Sequence, residues 1–189
     1  MLANISYGNG LPGDAELRLC GDLSNGRRAV ELGVSDWFNS IAFAAIGAKA
    51  IAVDPDPQRT GEMRTRAATA ELSVQCHDTD LADLGEITSG TVDVVVAAQT
   101  LEQVDDLSRL LRQVHRILKP SLPFVISMTH PFASVAEGNA YGSDHRTISD
   151  WFTALSRSNF RVDQIRELGL AADGLSPTTL ILRARKEGS

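Results

Sequence analysis

The strongest constraint on this chain is a repeated pairing, in which a short apolar run closes on a turn residue and a helical stretch follows. Arg28-Ala-Val-Glu-Leu-Gly33 is the first such run, and Asn39 to Ile46 follows as a small-residue helix with Gly47 placed to end it. Lys49-Ala-Ile-Ala-Val53 is the second, closed by Asp54-Pro55-Asp56-Pro57, whose prolines forbid strand continuation. Gln58 to Glu71 reads as a polar surface helix with alanines inward, and Leu72 to Cys76 alternates like a half-buried strand. Thr91 to Ala98 carries the strongest strand signal. Asp105 to Leu118 then spaces Leu107, Leu110, Leu111, Val114 and Leu118 at helical intervals before Lys119-Pro120 stops it. Phe124 to Met128 is a fifth buried run, Ser149 to Ser158 a further helix, and Arg161 to Leu168 and Thr178 to Ala184 two closing strands joined without a helix. Runs apolar throughout belong to a parallel sheet covered on both faces, connected by right-handed crossovers. The expected fold is α/β: a doubly wound, mostly parallel seven-stranded sheet with helices on both faces, one closing strand being antiparallel at an edge.

A chain of 189 residues suits one domain over 1–189, with a short helical segment at 13–24 and a lid-like segment at 130–148 that is rich in Gly, Ser, Asn and Ala. Twenty-four acidic against 18 basic side chains give a net charge of −6, which argues against a general nucleic-acid binder. Cys20 and Cys76 are the only cysteines and form no CxxC or Cys/His cluster, so neither a disulfide scaffold nor a metal site is expected, and a reducing cytoplasm is the default. MLANISYGNG lacks the basic and apolar regions of a secretory signal, and Gly47 and Lys49 interrupt the Ile41–Val53 stretch well short of a membrane span.

In an open α/β sheet the ligand lies beyond the carboxyl ends of the strands. By that rule Gly33 turns the chain sharply beside a ligand. Asp54 ends the next strand 21 positions later, where an acid holds a ribose diol. Taken singly, Asp54 is equally a turn residue before Pro55, and Asp80 equally a helix cap.

Val30-Glu-Leu-Gly33, the acid Asp54, and Leu101-Glu-Gln-Val104-Asp-Asp with Val114-His-Arg-Ile-Leu-Lys-Pro120 together resemble the class I, Rossmann-like S-adenosylmethionine-dependent methyltransferases, small-molecule branch. The likeness runs over about residues 14 to 184 and rests on the order of the motifs rather than on any one. It implies S-adenosylmethionine as cofactor and a small-molecule acceptor. It further implies that Glu31 and Gly33 start the cofactor loop, with Glu31 steadying the methionine end and Ser35 at the second glycine position. Asp54, with Pro55 beside it, would accept from both ribose hydroxyls. Asp80 would meet the adenine amino group with the Leu81 amide near the ring, and Ala97 would offer a carbonyl to the methionine amine.

Three positions depart from the family pattern. The glycine loop reads Gly33-Val-Ser35-Asp-Trp37, Gln103 replaces the usual histidine, and Lys119-Pro-Ser-Leu-Pro123 replaces the usual Lys-Pro-Gly-Gly turn. A left-handed Ser35 would strain the loop, whereas Trp37 is expected to turn outward against the helix that follows. The altered loop also motivates a rival reading, a degenerate relative that binds cofactor weakly or not at all and acts through a partner. A nicotinamide enzyme would want G-x-G-x-x-G where this chain has Gly33, Ser35 and Phe38. His130 and Glu102 follow strands at the ligand edge and are the candidate catalytic residues. Histidine as a residue type suits a general base, although His130 is equally a loop anchor beside Pro131.

Overall fold

The computed structural model describes residues 4–102, 104–136, 138–171, 174 and 176–188. Gln103 lies outside the described residues. Seven strands form one sheet in the order β3-β2-β1-β4-β5-β7-β6. They are β1 (Arg28–Leu32), β2 (Lys49–Asp54), β3 (Val74–Asp78), β4 (Val94–Ala98), β5 (Pro123–Thr129), β6 (Phe160–Leu170) and β7 (Pro177–Lys186). The helices are α1 (Asp14–Leu17), α2 (Asn39–Ala45), α3 (Pro57–Thr69), α4 (Leu107–Ile117), α5 (Phe132–Ala136) and α6 (Ile148–Arg157). The first five strands pair in parallel, and β7 runs antiparallel to both β5 and β6. The antiparallel strand is thus inside the sheet, and β6 rather than β7 makes the edge.

Alternation along the buried strands sorts side chains to the two faces. Val30, Leu32, Val95 and Ala97 join the apolar cluster under α4 and α6, whereas Ala29, Val94, Val96 and Ala98 join one formed with α2 and the N-terminal segment. On α4, Leu110, Leu111 and Val114 have no exposure, each contributing roughly 1.5–3 kcal/mol through burial. Asp106 caps that helix by accepting from the Arg109 N–H, and Asp56 caps α3 from Gln58 with Pro57 in the first helical position.

Three expectations are corrected here. The segment joining β3 to β4 is turns and loop, so Asp80, equally a helix cap by sequence, caps no helix there. The helix anticipated over 13–24 shrinks to Asp14–Leu17, after which Asp14 Oδ1 ties back the chain by accepting from the Leu19 and Cys20 N–H groups and the Tyr7 hydroxyl. The lid-like segment contains a short helix, α5, that its mixed composition concealed. No helix among the described residues is long and apolar enough to cross a membrane.

The amino-terminal edge is fastened by Asp93, 5% exposed, which accepts from the Arg28 N–H (2.9 Å), Lys119 Nζ (2.6 Å) and Arg27 (3.3 Å). Burial pushes its carboxyl up, but the Lys119 and Arg28 hydrogen bonds outweigh that and hold it below the ordinary carboxylate range. A depressed folded-state value contributes stability above the unfolded value and loses it as the pH falls through the folded one. Asp93→Asn should therefore cost about 1–3 kcal/mol at pH 7, the partners being half-exposed, and its denaturation midpoint should change less than that of the wild type between pH 6 and about pH 3. Equal acid sensitivity in the two proteins would remove this role.

Candidate functional site

β1 and β4 are neighbours although two strands separate them in sequence, so connections diverge between them and leave a crevice at their carboxyl ends. A cavity of about 620 Å³ opens there, walled by Gly33, Asp54, Asp80, Leu81, Thr100 and Arg109 among others. Gly33 is required on two grounds. Its φ is +79°, and a Cβ built on it would lie 2.4 Å from Thr100 Cβ. Thr100 Oγ1 donates to the Leu32 carbonyl at 2.6 Å, fastening the β4 loop across the end of β1.

Asp54 is 8% exposed and organises its own surroundings. Oδ2 accepts from the Val34 N–H at 2.7 Å and Oδ1 from the Asp56 N–H at 2.9 Å. Each oxygen of this cavity-lining carboxylate keeps a further lone pair without a partner among the described residues, the acceptor set a vicinal diol calls for. Asp80 Oδ1 accepts from the Ala82 N–H at 2.7 Å, and its other oxygen has no partner among the described residues. Pro55 and Leu81 add apolar wall on the same side.

Glu31, Ser35 and Ala97 stand behind the cavity. Glu31 has no exposure, and its carboxylate gathers the opening of α2: Oε1 accepts from the Ser35 N–H (3.1 Å), Ser35 Oγ (2.7 Å) and the Asn39 N–H (3.0 Å), and Oε2 from the Ser40 N–H (2.7 Å). It replaces a conventional cap, because the residue in that position, Phe38, offers no side-chain acceptor. Burial pushes the Glu31 carboxyl up, and the Ser35 and Ser40 hydrogen bonds pull it partly back. Ala97 is fully buried within β4, and the chain meets the cavity three residues later, at Thr100.

Ser35 is absent from the positive-φ residues, so the strain anticipated there does not arise. Phe38 carries it instead, at φ +50°. Its ring is buried against Val34, Ala52 and Met63, with the Arg66 guanidinium 4.1 Å from its centroid. Trp37 turns away from the cavity, packs beside the N-terminal segment and donates from Nε1 to Asn9 Oδ1 at 3.3 Å.

The two candidate catalytic residues part company. His130 has no exposure: Nδ1 accepts from the Phe132 N–H (3.1 Å) and Nε2 lies 2.9 Å from Glu167 Oε1. With Nδ1 accepting, the proton sits on Nε2 and points at Glu167, leaving no ring nitrogen open to a substrate. Glu102 is exposed at the ligand edge, where Oε1 accepts from the Thr129 N–H at 2.8 Å. Sequence reasoning put the Ala97 to Glu102 loop at the ligand edge without singling out Thr100, and missed Arg59 and Arg109 as cavity residues. The only signal for these two was their place in the first turns of α3 and α4.

A family model described as a methyltransferase domain matches residues 30–126. A ubiquinone biosynthesis O-methyltransferase of Xanthomonas oryzae pv. oryzae is 27% identical over 95 residues, which is 50% of this chain and 40% of that protein. The match thus spans less than half the length of that curated relative. Among solved structures, an S-adenosylmethionine dependent methyltransferase from Mesorhizobium loti superposes with a TM-score of 0.72 at 23% identity, covering 91% of this chain and 96% of that one. A geranyl diphosphate C-methyltransferase from Streptomyces coelicolor A3(2) superposes with a TM-score of 0.75 at 15% identity, over 92% and 77%. These likenesses show a shared fold.

The geometry around Glu31 predicts a loss that reads out as stability. Glu31→Gln keeps one acceptor oxygen but turns an NH2 toward the buried donors, which should cost about 1–3 kcal/mol for each donor left without a partner. Urea denaturation of the free protein measures it. A variant as stable as the wild type would show that α2 is held by other means.

Proposed function

The chain belongs to the family of methyltransferase domains, and from that premise we propose that it transfers a methyl group from S-adenosylmethionine to a small-molecule acceptor. The observation that carries the reading is the meeting of Gly33, Asp54 and Asp80 on one cavity at the β1–β4 switch point. The residues fit an adenosyl group: a glycine that no Cβ can replace, a buried carboxylate with a spare lone pair on each oxygen, and a second carboxylate with one oxygen free.

The cofactor, when bound, supplies a methyl group already activated on a sulfonium, so the protein is asked to align partners and exclude water rather than to form covalent bonds. Asp54 would accept from both ribose hydroxyls. Asp80 would take the adenine amino group, with the Leu81 N–H beside the ring and Pro55 against it. Glu31 and Ser35 act by holding the loop and α2, and Ala97 by placing the β4 end. Glu102 is the exposed carboxylate at the ligand edge, suited to take a proton from a hydroxyl acceptor. The likeness to an O-methyltransferase supports an acceptor of that kind.

Binding should be read calorimetrically with S-adenosylhomocysteine. Charge-assisted hydrogen bonds are worth roughly 1.5–3 kcal/mol each, so Asp54→Asn should weaken binding at least about tenfold while the free protein stays folded. NAD should give no heat. Unchanged affinity would confine Asp54 to bracing the Val34 and Asp56 turns, and an absence of binding to wild type would overturn the assignment.

A further inference from the structure

The loop that opens the cavity spends its backbone donors on the protein itself. The Gly33 N–H donates to the Val53 carbonyl (2.8 Å), that of Val34 to Asp54, and that of Phe38 to the Ser35 carbonyl (3.1 Å). Those of Ser35, Asn39 and Ser40 all go to Glu31. Over residues 33–40, only the Asp36 and Trp37 N–H groups lack a partner among the described residues, and neither residue lines the cavity. A helix opening is ordinarily a ready anion cradle because its first amides are free. Here the buried Glu31 carboxylate already fills that role.

Charge points the same way. The cavity wall carries Asp54, Asp56, Asp80, Asp105 and Asp106 against Arg59 and Arg109. Arg59 is already paired at 2.6 Å with Asp36, a loop carboxylate outside the cavity wall. Beside the Arg109 guanidinium, which has no partner among the described residues, the unspent polar side-chain atoms of the wall include the carboxylate oxygens of Asp54 and Asp80, next to the apolar Pro55 and Leu81.

Resting on the cofactor assignment above, we infer that this site grips the adenosine half of its ligand and provides no dedicated cradle for the amino-acid half. An adenosine thioether without the amino-acid tail is therefore bound nearly as well as the complete molecule. A carboxylate cradle of two charge-assisted hydrogen bonds would separate such ligands by a hundredfold or more on the order-of-magnitude scale for these bonds, whereas its absence leaves a gap of about tenfold or less.

Isothermal titration of the full chain with S-adenosylhomocysteine and with 5′-methylthioadenosine tests this directly. The expected result is two dissociation constants within about tenfold of each other. A wider gap in favour of S-adenosylhomocysteine overturns the inference and leaves the cofactor assignment standing, whereas no binding of either overturns both. Arg109→Gln supplies a second reading. If it weakens S-adenosylhomocysteine while sparing 5′-methylthioadenosine, Arg109 is the counter-charge and the inference fails; equal effects on the two ligands uphold it.

Discussion

A carboxylate with no access to water, set at the fourth residue of β1, organises the ligand edge of this molecule. Glu31 ties the strand to the opening of α2 through three backbone amides and a serine hydroxyl, so the loop between them is fixed from below. Such a group is tolerable only when its lone pairs are satisfied, because an unpaired buried charge is among the costliest features a fold can carry. The same dependence runs in reverse. Without the carboxylate α2 begins on Phe38, a residue with a left-handed backbone and no capping side chain. Once α2 is placed, Asn39 reaches the N-terminal segment, accepting from the Ser6 N–H and donating to the Ser6 carbonyl. One buried acid thus fixes the loop, the helix and the segment packed across them.

The cavity follows from topology as much as from side chains. Placing β4 beside β1 forces the β1 connection toward β2 and the β4 connection toward β5, and the gap between them is where a ligand fits. Gly33 and Thr100, both on the cavity wall, are in direct contact, so close that the space a Gly33 Cβ would need is filled by the Thr100 side chain. Asp54 then fixes the β2 side of the crevice by accepting from the turns that follow β1 and β2. The walls are braced by hydrogen bonds within the protein.

Most of the sheet was legible because its strands are apolar throughout: β1, β2, β4 and β5 lie within a few residues of the runs that announce them, and α4 wears its core face as Leu107, Leu110, Leu111 and Val114. What escaped the sequence depends on tertiary partners. The stretch between β3 and β4 is apolar enough to bury Leu81, Leu84 and Ile87, yet it packs as turns. The placement of β7 inside the sheet is a choice of strand pairing with no local signature. Gly33, Asp54 and Asp80 were readable as cavity residues because Gly33 follows β1, Asp54 ends β2 and Asp80 lies two residues past β3. The fate of His130 was not, because Glu167, which closes off its ring, is 37 residues away on β6.

The altered glycine loop shows how a family pattern can be left without losing the architecture. A run of glycines keeps amides exposed and backbone close to the ligand. This chain turns Ser35 inward to Glu31, and the positive φ passes to Phe38, where a left-handed non-glycine residue costs roughly 1–2 kcal/mol. That strain is offset where it arises, since the Phe38 ring is buried and carries the Arg66 guanidinium on its face. The exchange yields a loop whose polar groups are largely satisfied before any ligand arrives. A loop so satisfied needs no ligand to order it and has few backbone donors unspent, whereas the Asp54 and Asp80 carboxylates on the cavity wall keep lone pairs without a partner among the described residues.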